Sequence, residues 1–391
     1  MLEIPTDSQV NTYTTRQFIS NNKRLLLPLC LIIALFTPAT RELTLRALSD
    51  AFFQVSVFVA ATLFIYYYLV DRVPHLQLSY LRDKSPTLEV LFSAFLGVLP
   101  GCGGAIIVVT QFTKKQASFG SVVAVLTATM GDAAFLLLAT KPITGLIIMA
   151  LGLVIGIASG VLVNYFHRLD YLHPAITCQQ VSTIQCQPIA VKLSKPIWML
   201  MLIPSLVVAF VVALNIDLKQ FGNGFAISVT TFGALMALFI VTVWSLSCKG
   251  ATYKQITSEE VPCDPPSKIT KVLVDTHFVT AWVVASFVLF EVIITVFGLD
   301  LGKWFSQYAH FTPLVAVLIG LLPGCGPQII VTTLYIQGIV PFSALAANAI
   351  SNDGDALFPA IAMAPKAALI ATIYSAVPAL LLGYGLFLFG L

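Results

Sequence analysis

Two cysteines and two aspartates recur at matched spacing within strongly apolar sequence. The segments GVLPGCGGAIIVVT and GLLPGCGPQIIVTT contain Cys102 and Cys325 at the same position of a shared motif. In both copies an aspartate, Asp132 or Asp355, lies 30 residues after the cysteine and directly follows a glycine. Thiolates are soft metal ligands and carboxylates are hard ones, so this set of side chains predicts a cation site.

The two motifs belong to a longer duplication. Between residues 97 and 142, 18 of 46 positions are identical to the position 223 residues later, without a gap. Self-similarity at a fixed offset indicates a repeated structural unit. The copies differ beside the acids, because Thr129 and Met130 correspond to Asn352 and Asp353. We therefore expect an asymmetric site built from two related halves.

The composition predicts which elements position these residues. The chain has 391 residues, of which 58% are hydrophobic and only 10% are charged, whereas about a quarter are charged in soluble proteins. Apolar stretches of membrane-spanning length recur along it. This predicts an all-α, multi-pass protein of the cell inner (plasma) membrane, with the lipid bilayer as its surroundings. The net charge of +3 gives no support for nucleic-acid binding.

The Pro-Gly pairs predict broken helices at membrane depth. Proline lacks an amide hydrogen and glycine permits unusual backbone angles, so a helix cannot run smoothly through these motifs. Freed backbone groups are tolerated there only where protein or a cavity surrounds them. A half-helix that starts after the break presents free amides and the positive end of its dipole. The predicted break residues are Pro100, Gly101, Gly103, Pro323, Gly324 and Gly326.

The apolar pattern predicts nine spans and two PGCG segments. The spans are 25–39, 51–70, 119–140, 143–166, 197–214, 225–246, 274–298, 343–363 and 367–389, and the PGCG segments are 88–112 and 312–336. If the PGCG segments turn back as re-entrant hairpins, Lys and Arg divide sixteen against five across the membrane. If they cross, the division is ten against eleven.

The positive-inside rule favours the strong bias and hence the hairpins, with a cytoplasmic N-terminus. The units are then inverted structural repeats, a recurring plan of secondary transporters. We predict four regions: 1–50 with the first span, repeat unit 51–166, loops and a central helix pair at 167–273, and repeat unit 274–391.

The second copy carries additional polar residues. If the helix continues through them, Asn348, Asn352 and Asp355 share one face at i, i+4 and i+7 spacing. Oxygen ligands suit a divalent ion such as Mn²⁺, and two added thiolates shift the preference toward Zn²⁺, Co²⁺ or a softer species. The alternative for the aspartates is a structural hydrogen bond that ties a hairpin to a helix.

Secondary metal sites are further hypotheses. His277 and the mid-span Glu291 need partners within the membrane. The loop cysteines, together with His167 and His173, could form a cytoplasmic metal site, but their spacings do not match a compact zinc ribbon. These cysteines are Cys178, Cys186, Cys248 and Cys263.

The segments LLPGCGPQIIVTTLYIQGIVPFSALAANAISNDGDALFPAI, LPGCGGAIIVVTQF and DAFFQVSVFVA resemble the ten-transmembrane heavy-metal exporter family. Its members are commonly labelled manganese transporters or arsenic efflux proteins. The resemblance covers most of residues 45–391 and implies that both PGCG motifs and both Gly-Asp motifs mark the translocation site. With the residues derived above, it gives the predicted substrate set Cys102, Asp132, Cys325, Gln328, Asn348, Asn352, Asp353 and Asp355.

The leading hypothesis is therefore a secondary transporter that exports a divalent heavy metal, with manganese first. We expect that the protein is not an enzyme and needs no cofactor. Its expected partner is the transported ion, and the sequence is compatible with a homodimer. The sequence contains no Walker motif, so we do not expect this chain to hydrolyse ATP itself. One alternative is an arsenite, oxyanion or organic-anion transporter, since helix N-termini bind anions. A remote alternative is an intramembrane aspartyl protease, because Gly354-Asp355 and Pro378-Ala379-Leu380 echo that family's motifs.

Overall fold

A computed structural model describes residues 23–173, 189–214, 216–247, 268–297 and 311–390. These parts of the chain are helical and contain no strand. The helices are α1 (Leu26–Phe36), α2 (Arg41–Asp50), α3 (Val57–Arg72), α4 (Leu78–Lys84), α5 (Pro86–Val98), α6 (Gly103–Thr113), α7 (Phe119–Ala128), α8 (Ala133–Thr140), α9 (Pro142–Phe166), α10 (Ile189–Ala213), α11 (Asn223–Ser247), α12 (Lys268–Phe297), α13 (Thr312–Gly320), α14 (Gly326–Ile336), α15 (Phe342–Ser351), α16 (Leu357–Met363) and α17 (Pro365–Leu388). A π-helical segment, Ala51–Ser56, joins α2 to α3.

Helices long and apolar enough to cross a membrane agree with seven of the nine predicted spans. They are Arg41–Arg72, Phe119–Thr140, Pro142–Phe166, Leu193–Ala213, Asn223–Ser247, Ile269–Leu289 and Pro365–Leu388. The predicted span 25–39 is the shorter apolar helix α1. The predicted spans 119–140 and 343–363 are each divided at a Gly-Asp motif, the first between α7 and α8 and the second between α15 and α16. An all-helical multi-pass membrane architecture follows from the length and apolar composition of these helices.

The Gly-Asp motifs interrupt their helices, which corrects one sequence prediction. Asn348, Asn352 and Asp355 were expected on one face of a continuous helix. Helix α15 instead ends at Ser351, and Asn352 is extended with ψ 117°. Gly354 then adopts a left-handed φ of +58°. The three side chains therefore do not share a helical face, and Asp355 belongs to a turn between two half-helices.

The chain reverses direction at the first PGCG motif. A Cβ on Gly104 would lie 2.0 Å from the backbone oxygen of Leu96, whereas eight residues of continuous helix span about 12 Å. At the other end of the segment, the Ser118 amide donates a hydrogen bond to Glu89 Oε1 at 2.6 Å. Helices α5 and α6 therefore form a hairpin whose two outer ends lie side by side.

The PGCG ends of α5 and α13 pack against the last turn of the helix that precedes a Gly-Asp motif. A Cβ on Gly97 would lie 2.6 Å from the Val125 oxygen, and a Cβ on Gly320 would lie 3.0 Å from the Asn348 oxygen. Both residues of the second pair lie 223 positions after those of the first. In both copies, only a glycine permits this approach of two backbones.

Equivalent helices of the two units make equivalent contacts, both within each unit and between the units. Helices α5, α7 and α9 pack on one another, and so do their counterparts α13, α15 and α17. Between the units, α6 packs on α16 while α14 packs on α8. Such an exchange of equivalent contacts is what a two-fold relation between two similar bodies produces.

Candidate functional site

One cluster of ligand-type side chains lies where the two units meet. Cys102, Asp132, Cys325 and Asp355 are buried, and each offers one ligand atom within 4.8 Å of the others. The two Sγ atoms are 3.0 Å apart. Within the described ranges, no other group of three or more His, Cys, Asp or Glu side chains has this arrangement. The cluster draws one thiol and one carboxylate from each unit.

All four side chains lie at the starts of helical segments. Cys102 and Cys325 are the N-cap residues of α6 and α14. Asp132 is the N-cap of α8, and Asp355 lies in the single turn that precedes α16. Helix starts present free amides and a partial positive charge. The local backbone therefore favours the anionic forms that bind cations.

Two glycines with left-handed backbones bring the acidic turns against the thiols. Gly131 has φ +52° and Gly354 has φ +58°. A Cβ on Gly131 would lie 2.6 Å from Cys325 Sγ, and one on Gly354 would lie 3.3 Å from Cys102 Sγ. Each glycine thus faces the thiol of the other unit. The sequence prediction missed this role, although the Gly-Asp dipeptide within an apolar helix was the signal for it.

The carboxylates in the cluster lack conventional partners. Both oxygens of Asp132 and of Asp355 are buried without a hydrogen-bond partner among the described residues. Their polar neighbours are the thiols of the cluster and, electrostatically, each other. A buried unpaired carboxylate is costly unless a cation or a proton neutralises it. The arrangement is therefore suited to holding positive charge.

The other predicted site residues divide into two groups. Gln328 lies beside the cluster, with Oε1 3.7 Å from the Cβ position of Gly131 and no partner for either end of its amide. Asn352 accepts a hydrogen bond from the Gly354 amide and so shapes the acidic turn.

Asn348 and Asp353 face away from the thiols. Asn348 donates to the Ala316 oxygen at 2.9 Å, and Asp353 accepts hydrogen bonds from Thr372 and Ser375 on α17. Their contacts tie helices together, a structural role that was considered from the sequence only for Asp132 and Asp355.

The secondary candidates do not join the cluster. His277 Nε2 accepts a hydrogen bond from Trp198 Nε1 at 3.0 Å, and the histidine is 1% exposed. Glu291 is exposed on α12. His167 and His173 contact Tyr374 and the Ala117 oxygen. The four loop cysteines at 178, 186, 248 and 263 lie outside the described residues.

Comparison with known proteins agrees with this architecture. A family model described as "Putative, 10TM heavy-metal exporter" matches residues 39–390. Searches of curated proteins and of solved structures find no significant match. The family match contains both PGCG segments, both interrupted helices and all four residues of the cluster. The chain therefore belongs to this ten-transmembrane heavy-metal exporter family.

Proposed function

We propose that this protein is a secondary transporter that exports a divalent heavy metal through the cluster of Cys102, Asp132, Cys325 and Asp355. The observation that carries the proposal is the convergence of two duplicated thiols and two duplicated carboxylates within 4.8 Å in a buried position. The unpaired carboxylate oxygens support a role in holding a cation. Family membership supports both transport and a metal substrate.

The donor set suggests the class of ion. Two sulfur and two oxygen ligands suit borderline ions that accept tetrahedral coordination, such as Zn²⁺ and Co²⁺. Mn²⁺ prefers oxygen-rich sites of higher coordination number. Manganese, the expectation that the family resemblance supplied, is therefore less well matched to these four side chains than Zn²⁺ or Co²⁺.

We further propose that the PGCG hairpins are re-entrant and that the repeats are inverted. The Glu89–Ser118 hydrogen bond supports a hairpin that enters and leaves on one side. Nearby, Arg82 donates to the Lys115 oxygen and pairs with Asp170, and this pairing lowers the pKa of Asp170.

In this topology, basic residues gather on one side of the membrane, which is then the cytoplasmic side. The basic residues of the described segments on that side include Arg72, Arg82, Lys84, Lys114, Lys115, Arg168 and Lys271.

The geometry supports a simple transport cycle. Each unit supplies half of the ligands, so a movement of one unit against the other opens or closes the site from either side. An arriving divalent ion neutralises the buried carboxylates and displaces protons from the thiols. Protons that return after release reset the site, which makes metal/proton exchange the proposed coupling.

The test is the total content of Mn, Fe, Co, Ni, Zn, Cu and As in cells that express the wild type or Asp355→Asn. The wild type is expected to deplete one divalent metal, and the variant to restore it. Glu42→Gln, which removes an exposed acid that pairs with Arg46, is the matched control and should behave as wild type. Equal content of every element in all three strains would overturn the proposal.

A second candidate substrate is trivalent arsenic. The two Sγ atoms, 3.0 Å apart, are close enough to bind one thiophilic centre together, and trivalent arsenic is such a centre. For this substrate, Cys102→Ser and Cys325→Ser should abolish arsenic depletion while Asp132→Asn reduces it less. For a divalent metal, the aspartates and the cysteines should both be required.

A further inference from the structure

A cavity adjoins one edge of the thiol–carboxylate cluster. It has a volume of about 80 Å³, and its lining includes Gln54, Asp132 and Ile329. A water molecule needs at least about 10–15 Å³ of such space, so the cavity has room for several. Asp132 is 6% exposed and its carboxylate has no hydrogen-bond partner. An unpaired acid of the cluster thus borders water-sized space.

Gln54, which lines the cavity together with Asp132, has two further acids in its neighbourhood. Gln54 lies in the π-helical segment, and its side chain is within hydrogen-bonding reach of the Asp50 carboxylate. Glu291 on α12 is close enough to act electrostatically on Asp50. Arg46, one turn before Asp50, attracts it more weakly and pairs with Glu42. Side chains with oxygen atoms that can bind a metal ion therefore continue from the cavity away from the cluster.

The position of the cavity assigns it to one side of the proposed topology. Val212 and Ala213 line it, and they form the end of α10 that precedes the short connection to α11. This end is opposite to the basic hairpin base around Lys114. By the positive-inside rule the cavity faces the extracytoplasmic side. π-Helical turns are frequent at functional sites, which agrees with the placement of Gln54.

The counterpart of Asp50 in the second repeat has a different environment. Asp50 corresponds to Asp275 at an offset of 225 residues. Asp275 lies 3.9 Å from Lys114 Nζ and accepts a hydrogen bond from Tyr67 at 3.2 Å. A cationic neighbour lowers the attraction of Asp275 for a metal ion, whereas the acid Glu291 influences Asp50 more strongly than the cation Arg46 does. The two duplicated acids therefore present different environments to a passing cation.

We propose that Gln54, Asp50 and Glu291 form the release path for a divalent cation on the extracytoplasmic side of the cluster. This inference rests on the proposed function and adds its outward route. An ion that leaves the four primary ligands passes Gln54 and is received by Asp50 and Glu291 before it enters bulk water. The oxygen-only set binds a borderline ion more weakly than the thiols do, so the ion is not retained.

Cysteine accessibility tests the route without any metal. In a background with Cys30 and the four loop cysteines replaced by serine, single cysteines are introduced by Gln54→Cys, Val212→Cys and Val108→Cys. A membrane-impermeant methanethiosulfonate reagent added to intact cells should label the first two. Val108, fully buried in α6, should stay unlabelled, as should the background. Failure to label positions 54 and 212 would overturn the route.

Transport and binding measurements then test the acids. Asp50→Asn and Glu291→Gln should each slow ⁶⁵Zn²⁺ efflux by about tenfold, as expected for the loss of one charged contact. Equilibrium Zn²⁺ binding to the purified protein should change little, and Glu42→Gln should transport normally. Wild-type efflux in Asp50→Asn would overturn the role of Asp50. Labelling of position 54 without any Zn²⁺ efflux by the wild type would retain the route and reject the proposed substrate.

Discussion

Cys102 and Cys325 occupy equivalent positions in the two repeats, and their Sγ atoms lie 3.0 Å apart. A residue that contacts its own counterpart lies on the two-fold axis that relates the two bodies. In the proposed inverted-repeat arrangement, the thiols therefore lie on the axis that relates the two units. Asp132 and Asp355 lie within 4.8 Å of the thiols, one from each unit, so a single ion on the axis would contact both units.

Oxidative cross-linking should join the two repeats. A disulfide needs a sulfur separation of about 2 Å, so a movement of about 1 Å brings the thiols into bonding distance. With a protease site introduced between α11 and α12 and the loop cysteines replaced, copper phenanthroline should keep the cleaved halves together on a non-reducing gel. Reduction should separate them. The Cys102→Ser variant is the control, and its halves should separate even after oxidation. Separation of the halves after oxidation in the protein that keeps both thiols would contradict their proximity.

Removal of either thiol should weaken metal binding and change its selectivity. Even partners outside the ligand set change metal affinity by about 10- to 100-fold, so Cys102→Ser or Cys325→Ser should weaken Zn²⁺ binding by at least that factor. Mn²⁺ binding should change less, because Mn²⁺ depends less on sulfur. Calorimetry on the purified protein measures both. Cys30→Ser, at an exposed position in α1, is the matched control.

The neighbouring acids Asp353 and Asp355 should respond differently to the same substitution. Asp355→Asn should abolish Zn²⁺ binding with little loss of thermal stability, because the side chains nearest its carboxylate are the thiols of Cys102 and Cys325, which are weak donors. Asp353→Asn should retain binding and lower stability by about 1.5–3 kcal/mol, since hydrogen bonds to charged groups contribute about that much. Binding stoichiometry and thermal unfolding in detergent distinguish the two variants. Loss of Zn²⁺ binding in Asp353→Asn would show that Asp353 is part of the metal site.

Gly131→Ala should impair the site through the backbone. A left-handed backbone costs a residue with a Cβ about 1–2 kcal/mol, and this Cβ would lie 2.6 Å from Cys325 Sγ. We expect lower thermal stability and loss of Zn²⁺ binding. Gly385→Ala is the control, because that helical glycine has nothing within 4 Å of its Cβ position and alanine favours helix by about 0.5–1 kcal/mol. Normal Zn²⁺ binding by Gly131→Ala would contradict the proposed fit of the turn.

The fold was largely predictable because apolar length and Pro-Gly breaks are local signals. Seven of nine spans agree with long apolar helices, and the chain leaves helical geometry at each PGCG motif. The interruptions between α7 and α8 and between α15 and α16 were both missed, because the flanking sequence is as apolar as a continuous span. The decisive signal was the turn chemistry of Asn352 and Gly354, which the periodicity of hydrophobic residues does not contain.

The candidate site was predictable only in part. The duplication drew attention to the four residues of the cluster, but it did not predict that the Sγ atoms would be 3.0 Å apart. Whether Asp353 points inward or toward Thr372 depends on the packing of α17, which is a long-range property. The neighbourhood of Asp50 and Gln54 likewise depends on how α10 and α12 pack against the π-helical segment.

The helix pair α10–α11 has a consequence for the origin of the chain. In the proposed topology each unit begins and ends on opposite faces of the membrane, and an even number of connecting helices leaves the second copy upside down. An ancestral half-length chain would then have inserted in both directions and paired with itself. In such a dimer every substitution would appear twice. A fused chain is free of this constraint, and Met130 and Asp353 occupy corresponding positions in the two repeats.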